Sequence, residues 1–123
     1  MNWENAIIWF VAFLVSATVH EAAHSWVAML GGDRTAYYGG QVTLNPLPHI
    51  QREPFGMVVL PLLSLYMSQG NWCFGFAHAP INVLWAQRNP GKAAVMSAAG
   101  PLANVLLAAI AFGVLWYIGQ PDG

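Results

Sequence analysis

The chain has 123 residues, enough for one domain. Hydrophobic residues make up 57% of it and charged residues 7%, where a soluble domain carries about 25% charged residues. Too few charges remain to solvate a surface, which argues against a soluble globular protein. A net charge of −1 leaves no basic patch to neutralise phosphates, so nucleic acid is not an expected partner. Cys73 is the single cysteine, which excludes an internal disulfide and a cysteine-rich zinc site.

The first apolar run covers Asn5 to Leu30. As a helix it measures about 39 Å, longer than a hydrocarbon core of about 30 Å. It lacks a Lys or Arg before the apolar stretch and is too long for a signal peptide, so an uncleaved first span is expected. Its ionisable residues are His20, Glu21 and His24, all in the C-terminal half. Gly31 and Gly32 then supply a cheap left-handed cap. From Asp33 to Pro54 the chain is polar and broken. Tyr37 to Leu44 holds β-type residues around Gly39 and Gly40, which allows a short strand or a small β-hairpin near 37–44. Asn45-Pro46-Leu47-Pro48-His49 reads as a stiff extended turn, because each proline pushes the preceding residue away from helix.

A second apolar run, Phe55 to Met67, is interrupted by Pro61 and is too short to cross a bilayer. It continues as Asn71–Ala77, apolar but punctuated by Gly75. A short helix with a re-entrant segment is expected, and such backbone is tolerated only where protein or water covers it. A polar hinge, Arg88 to Lys92, leads into a third run, Ala93 to Ile118, again about 39 Å as helix. It opens with small residues that permit close helix approach, contains Pro101, and ends on the interfacial aromatics Trp116 and Tyr117. Orientation is not legible from charge: Arg34 and Arg52 in one loop balance Arg88 and Lys92 in the next. The expected fold is an all-α membrane protein. It forms a single membrane-embedded domain over 1–123, with two firm transmembrane helices and spans near 5–30, 55–69 and 93–118.

His20-Glu21-Ala22-Ala23-His24 is an HExxH pattern, for which roughly 0.003 chance matches are expected in this composition. Histidines four apart lie on one helix face and can share one metal ion. Glu21 can take a proton from a metal-activated water and pass it to the leaving amine, which makes amide hydrolysis the expected chemistry. Within a membrane helix, ionisable groups are costly and mark functional sites. A catalytic zinc wants a third protein ligand. The position six beyond His24 is Leu30, and Glu53 lies in a proline-rich loop. Asp33, His49, His78 and Asp122 are the other candidates. Asp33 follows the helix too closely to fold back easily, His49 and His78 read as turn caps or cavity lining, and Asp122 reads as a terminal turn.

Residues His20–Ala28, followed by Gly32-Asp33-Arg34-Thr35-Ala36, resemble the active-site helix of the site-2 protease family of intramembrane zinc metalloproteases (peptidase family M50). Thr43–Ile50 resembles the loop that follows in its compact bacterial branch, and Ala99-Gly100-Pro101-Leu102-Ala103-Asn104 resembles a later Gly-Pro-x-x-Asn transmembrane motif. The resemblance implies Zn2+ as cofactor, His20 and His24 as metal ligands, and Glu21 as the catalytic residue. It implies that Asn104 binds the substrate strand or the oxyanion. The substrate would be a transmembrane protein cut within the membrane, and the enzyme a multi-pass protein of the bacterial cell membrane, open towards the cytoplasm. The family's third ligand is an aspartate of an Asp-Gly motif on a further helix. Asp122-Gly123 has the dipeptide but follows Gly100-Pro101 too soon, so the chain reads as truncated before that helix. The alternative expectation is a non-catalytic or truncated homologue that binds substrate or metal without cleaving.

Overall fold

The computed structural model describes residues 2–77 and 80–120, and among them it contains helices and no strand. Helix α1 runs Trp3–Leu30, started by Asn2, whose side chain accepts from the Asn5 amide. Its buried residues Thr18, Glu21, Ala22, Ser25 and Ala28 recur at helical spacing and form one stripe of small and polar side chains. The hydroxyls in that stripe bond back to their own helix, Thr18 to the Leu14 carbonyl at 2.7 Å and Ser25 to the Glu21 carbonyl at 2.8 Å. They therefore add no unmet polar group to an apolar setting. The other faces of α1 expose Ile7, Ile8, Val11, Val15 and Leu30.

Helix α6, Pro90–Ile118, packs along the stripe of α1 and forms the main tertiary contact of the molecule. Both helices are long and apolar enough to cross a membrane. Their exposed apolar residues would be costly in water and are at home in lipid.

Between the long helices lie short elements. The stretch expected as a hairpin near 37–44 is not one. Helix α2, Thr35–Tyr38, fills its first half, and Gly39 and Gly40 end that helix instead of turning a strand pair. The β-type side chains lose to a local anchor: Asp33 Oδ1 accepts from both the backbone amide and the hydroxyl of Thr35, which starts the helical turn. The Gln41 amide then closes onto the Ala36 carbonyl. The stiff turn expected at Asn45–His49 is also helical. Asn45 caps helix α3, Pro46–Arg52, through the Leu47 amide. Both prolines fall in its first turn, where no backbone N–H is needed.

Helix α4 covers Phe55–Ser68, its first turn widened to π geometry over Phe55–Val59. The widening lies just before Pro61, which lacks the amide to continue a regular ladder. At about 21 Å this helix is too short to span the hydrocarbon core. After Gln69 and Gly70, both at positive φ, the chain turns back as an extended segment, 72–77, against α4. The Phe74 amide donates to Ser64 Oγ at 3.1 Å and the Phe76 amide to the Gly56 carbonyl at 3.0 Å. Gly56 and Gly75 make this approach possible, because a Cβ on Gly56 would strike the Phe76 carbonyl and one on Gly75 the Gly56 carbonyl.

Asp33 ties the two halves together. It is 3% exposed, and its Oδ2 accepts from the Asn82 amide at 2.8 Å. Asn82 in turn caps helix α5, Val83–Arg88, through the Leu84 and Trp85 amides. Trp85 Nε1 then donates to the Gly31 carbonyl at the end of α1. Burial disfavours the Asp33 carboxylate, but the hydrogen bonds from Thr35 and Asn82 outweigh it and hold the group below its ordinary value of 3.8. Stability from this group is therefore present above about pH 4 and is lost as pH falls through its depressed folded value. Asp33→Asn should cost about 1.5–3 kcal/mol, since it replaces a charged acceptor by an amide. Thermal unfolding in detergent should show that loss near neutral pH and a flatter acid limb for the variant.

Candidate metal centre

His20, Glu21 and His24, in the C-terminal half of α1, carry the chemistry. His20 and His24 lie one above the other on α1, their ring centroids 4.5 Å apart in an edge-to-face arrangement. Glu21 sits between them and is 3% exposed. Its Oε1 lies 3.7 Å from His20 Nε2 and 3.6 Å from His24 Nδ1. One donor atom from each of the three residues falls within 4.8 Å of the others. Glu21 Oε2 is buried with no hydrogen-bond partner among the described residues.

Helix α6 supplies the opposite wall. Its Pro101 has no amide to give the Ser97 carbonyl four residues earlier, and that carbonyl accepts from His24 Nε2 at 3.1 Å. One turn on, Asn104 Nδ2 lies 3.1 Å from His20 Nδ1. Between these contacts, Gly100 faces both rings. A Cβ there would collide with His24 Nε2 and come within 2.7 Å of His20 Nε2. Each imidazole thus has one nitrogen held by α6 and the other turned towards Glu21.

These observations fit a metal ion. Two imidazole nitrogens and a carboxylate oxygen form a donor set that suits zinc. The unpartnered Glu21 oxygen is a second sign, and the glycine-wide gap at position 100 a third. A cavity of about 330 Å3 opens beside the cluster, lined by Phe13, His20 and Glu21 of α1, Gly75 and Phe76 of the extended segment, and Asn104 of α6. It has both polar and apolar walls.

The structure therefore brings together His20, Glu21, His24 and Asn104. It does not bring Asp33 to them, since both its oxygens are engaged with Thr35 and Asn82. His49 is buried, with Nε2 on the Thr43 carbonyl at 3.0 Å, a local structural contact. Glu53 caps the end of α3. His78 and Asp122 lie outside the described residues. Burial pushes the Cys73 thiol above its ordinary value, partly offset by Ser64.

Sequence reasoning missed Gly100 as part of the site, although its place in the Gly-Pro pair was visible. It also missed Gly75 and Phe76 as cavity wall. Their signal was the spacing of Trp72, Phe74 and Phe76, a period of two that belongs to an extended segment. Trp72 and Phe74 stack at 5.2 Å, and Phe76 contacts Phe55 at 6.2 Å.

Gly100→Ala places a methyl group against both imidazoles. Zinc binding, read by competition with a chromophoric chelator, should fall at least tenfold, while helix content by circular dichroism stays as in the wild type.

The chain is similar in sequence to known proteins. The sequence profile described as Peptidase family M50 matches residues 8–120. "Putative zinc metalloprotease YwhC" of Bacillus subtilis (strain 168) is 35% identical over 106 residues, covering 85% of this chain and 43% of that protein. "Putative zinc metalloprotease Rip2" of Mycolicibacterium smegmatis (strain ATCC 700084 / mc(2)155) is 28% identical over 108 residues, covering 88% of this chain and 39% of that protein. The chain thus spans less than half the length of these curated relatives. No solved structure shows a significant match to it. With a motif-bearing α1, a Gly-Pro-bearing α6 and a profile match along nearly its whole length, the chain belongs to peptidase family M50.

Proposed function

We propose that the chain forms the catalytic core of a zinc metalloendopeptidase that hydrolyses peptide bonds of transmembrane proteins within the membrane. One observation carries this reading. The His20–Glu21–His24 cluster lies on a membrane-length apolar helix and opens onto a cavity instead of being packed shut. The zinc metalloprotease names of the bacterial relatives support the metal and the reaction class. Exposed apolar faces on α1 and α6 suit a multi-pass protein of a bacterial cell membrane, with lipid and a transmembrane substrate as its partners.

Neutral His20 and His24 would hold the ion, and α6 keeps their rings from turning. Bound there, zinc supplies Lewis acidity for the attacking water and the scissile carbonyl. Glu21 accepts a proton from that water, whose oxygen forms the new bond to the carbonyl carbon. Glu21 returns the proton to the departing nitrogen as the C–N bond breaks, so the products are a carboxylate and an amine. Phe13 and Phe76 provide apolar wall for a substrate side chain, and the Asn104 amide stands beside the reacting groups. The resemblance places a third metal ligand in an Asp-Gly motif on a further helix, and the matched relatives are more than twice as long as the aligned region.

Glu21→Gln is nearly isosteric and cannot take the proton. In purified protein it should lower cleavage of a membrane substrate by about 10²–10⁴-fold, with zinc content and helix content unchanged. Undiminished cleavage by this variant sinks the assignment. Wild-type protein that neither binds zinc nor cleaves would support the reading as a non-catalytic homologue.

A further inference from the structure

Asn104 and His20 meet in a way that metal binding cannot tolerate unchanged. Asn104 Nδ2 faces His20 Nδ1 at 3.1 Å. With the amide turned this way its N–H donates, which suits only the tautomer with a bare, accepting Nδ1 and the ring proton on Nε2. A protonated Nε2 has no lone pair for a metal, yet Nε2 is the His20 nitrogen that faces Glu21. On the other side of the amide, Asn104 Oδ1 is buried and has no partner among the described residues. Half a turn of the amide cures both defects. Oδ1 then accepts from His20 Nδ1–H, gains its missing bond and leaves Nε2 free to bind.

We propose that Asn104 is the positioning residue of the metal centre: its carboxamide oxygen receives His20 Nδ1–H when zinc is bound and so fixes the tautomer and tilt of the His20 ring. The Ser97 carbonyl, released by Pro101, does the same for His24, whose Nε2 it holds at 3.1 Å. Both outer contacts thus come from one helix, seven residues apart, on either side of Gly100. A metal-binding histidine depends on such a partner for its orientation, and removing the partner typically costs 10–100-fold in metal affinity. The assignment differs from a role for Asn104 in gripping substrate, because the amide is already engaged with the ligand ring. It rests on the reading of His20 and His24 as metal ligands.

The test is zinc affinity, measured by chelator competition on full-length protein in detergent, without substrate. Asn104→Leu removes the acceptor and should weaken binding about 10–100-fold. Asn104→Asp keeps an oxygen acceptor and cannot donate, so its affinity should equal or exceed that of the wild type. If Asn104 acts through its N–H groups on substrate, zinc affinity stays at the wild-type value in both variants, and the proposal is overturned. It is also overturned if the Asp variant is as weak as the Leu variant. Should the Leu variant fail to fold, Asn104→Ala, which also removes the acceptor, takes its place with the same expected loss of about 10–100-fold, and wild-type affinity in it overturns the proposal. His20→Ala and His24→Ala separate the two levels. Zinc binding that depends on both histidines and not on Asn104 removes only the positioning role. Zinc binding that survives loss of either histidine overturns the metal-ligand reading and this proposal with it.

Discussion

The structure depends on how closely α6 approaches α1 at Gly100. Two imidazole rings fill the space that a side chain would occupy, and every contact of the centre is measured from that crossing. In lipid there is no hydrophobic drive to press two helices together, so packing and polar contacts must do it. The small residues of the α1 stripe and the glycine of α6 allow the approach. Hydrogen bonds between these two histidines and α6 then make it specific. Site and fold are therefore one construction: the groups that would hold the metal are also those that lock the helix pair.

Proline at position 101 has a matching physical role. Inside a membrane helix an unmet carbonyl is expensive, because water is not at hand to satisfy it. Pro101 creates such a carbonyl at Ser97, and His24 satisfies it. The adjacent glycine is what lets the imidazole reach. Without the glycine, the freed carbonyl would lie behind a side chain. Without the proline, the carbonyl would bond within its own helix and the histidine ring would lose an anchor.

Residues whose chemistry is local were legible in the sequence. The HExxH spacing places two imidazoles and a carboxylate together on any helix, and the length of the apolar run made that helix certain. The short elements were less legible, because tertiary anchors decide them. Tyr37 to Leu44 has strand-like side chains, but Asp33 starts a helical turn just before them and the glycines end it. Asn45–His49 looks extended when each proline is judged by its predecessor, yet prolines in a first helical turn remove no bond that the helix needs. Asp33 itself looked like a metal candidate by residue type. Its bonds to Thr35 and to the distant Asn82 make it a tie between loops, and that long-range partner is invisible in sequence.

Glu21 shows why this centre has to be built between helices instead of on one. A buried carboxylate with a free oxygen costs stability, because its desolvation is not balanced by a bond. A lone helix in lipid would leave it without polar neighbours. Here the cost is offset by two neighbouring imidazoles and by a polar cavity shared with Asn104. The extended segment 72–77 matters for the same reason. It closes one side of the cavity with backbone and aromatic rings, and its Trp72, Phe74 and Phe76 amides are satisfied on α4. The carboxylate keeps one oxygen uncommitted for an incoming water, which is what a general base requires and what a group chosen only for stability would not do.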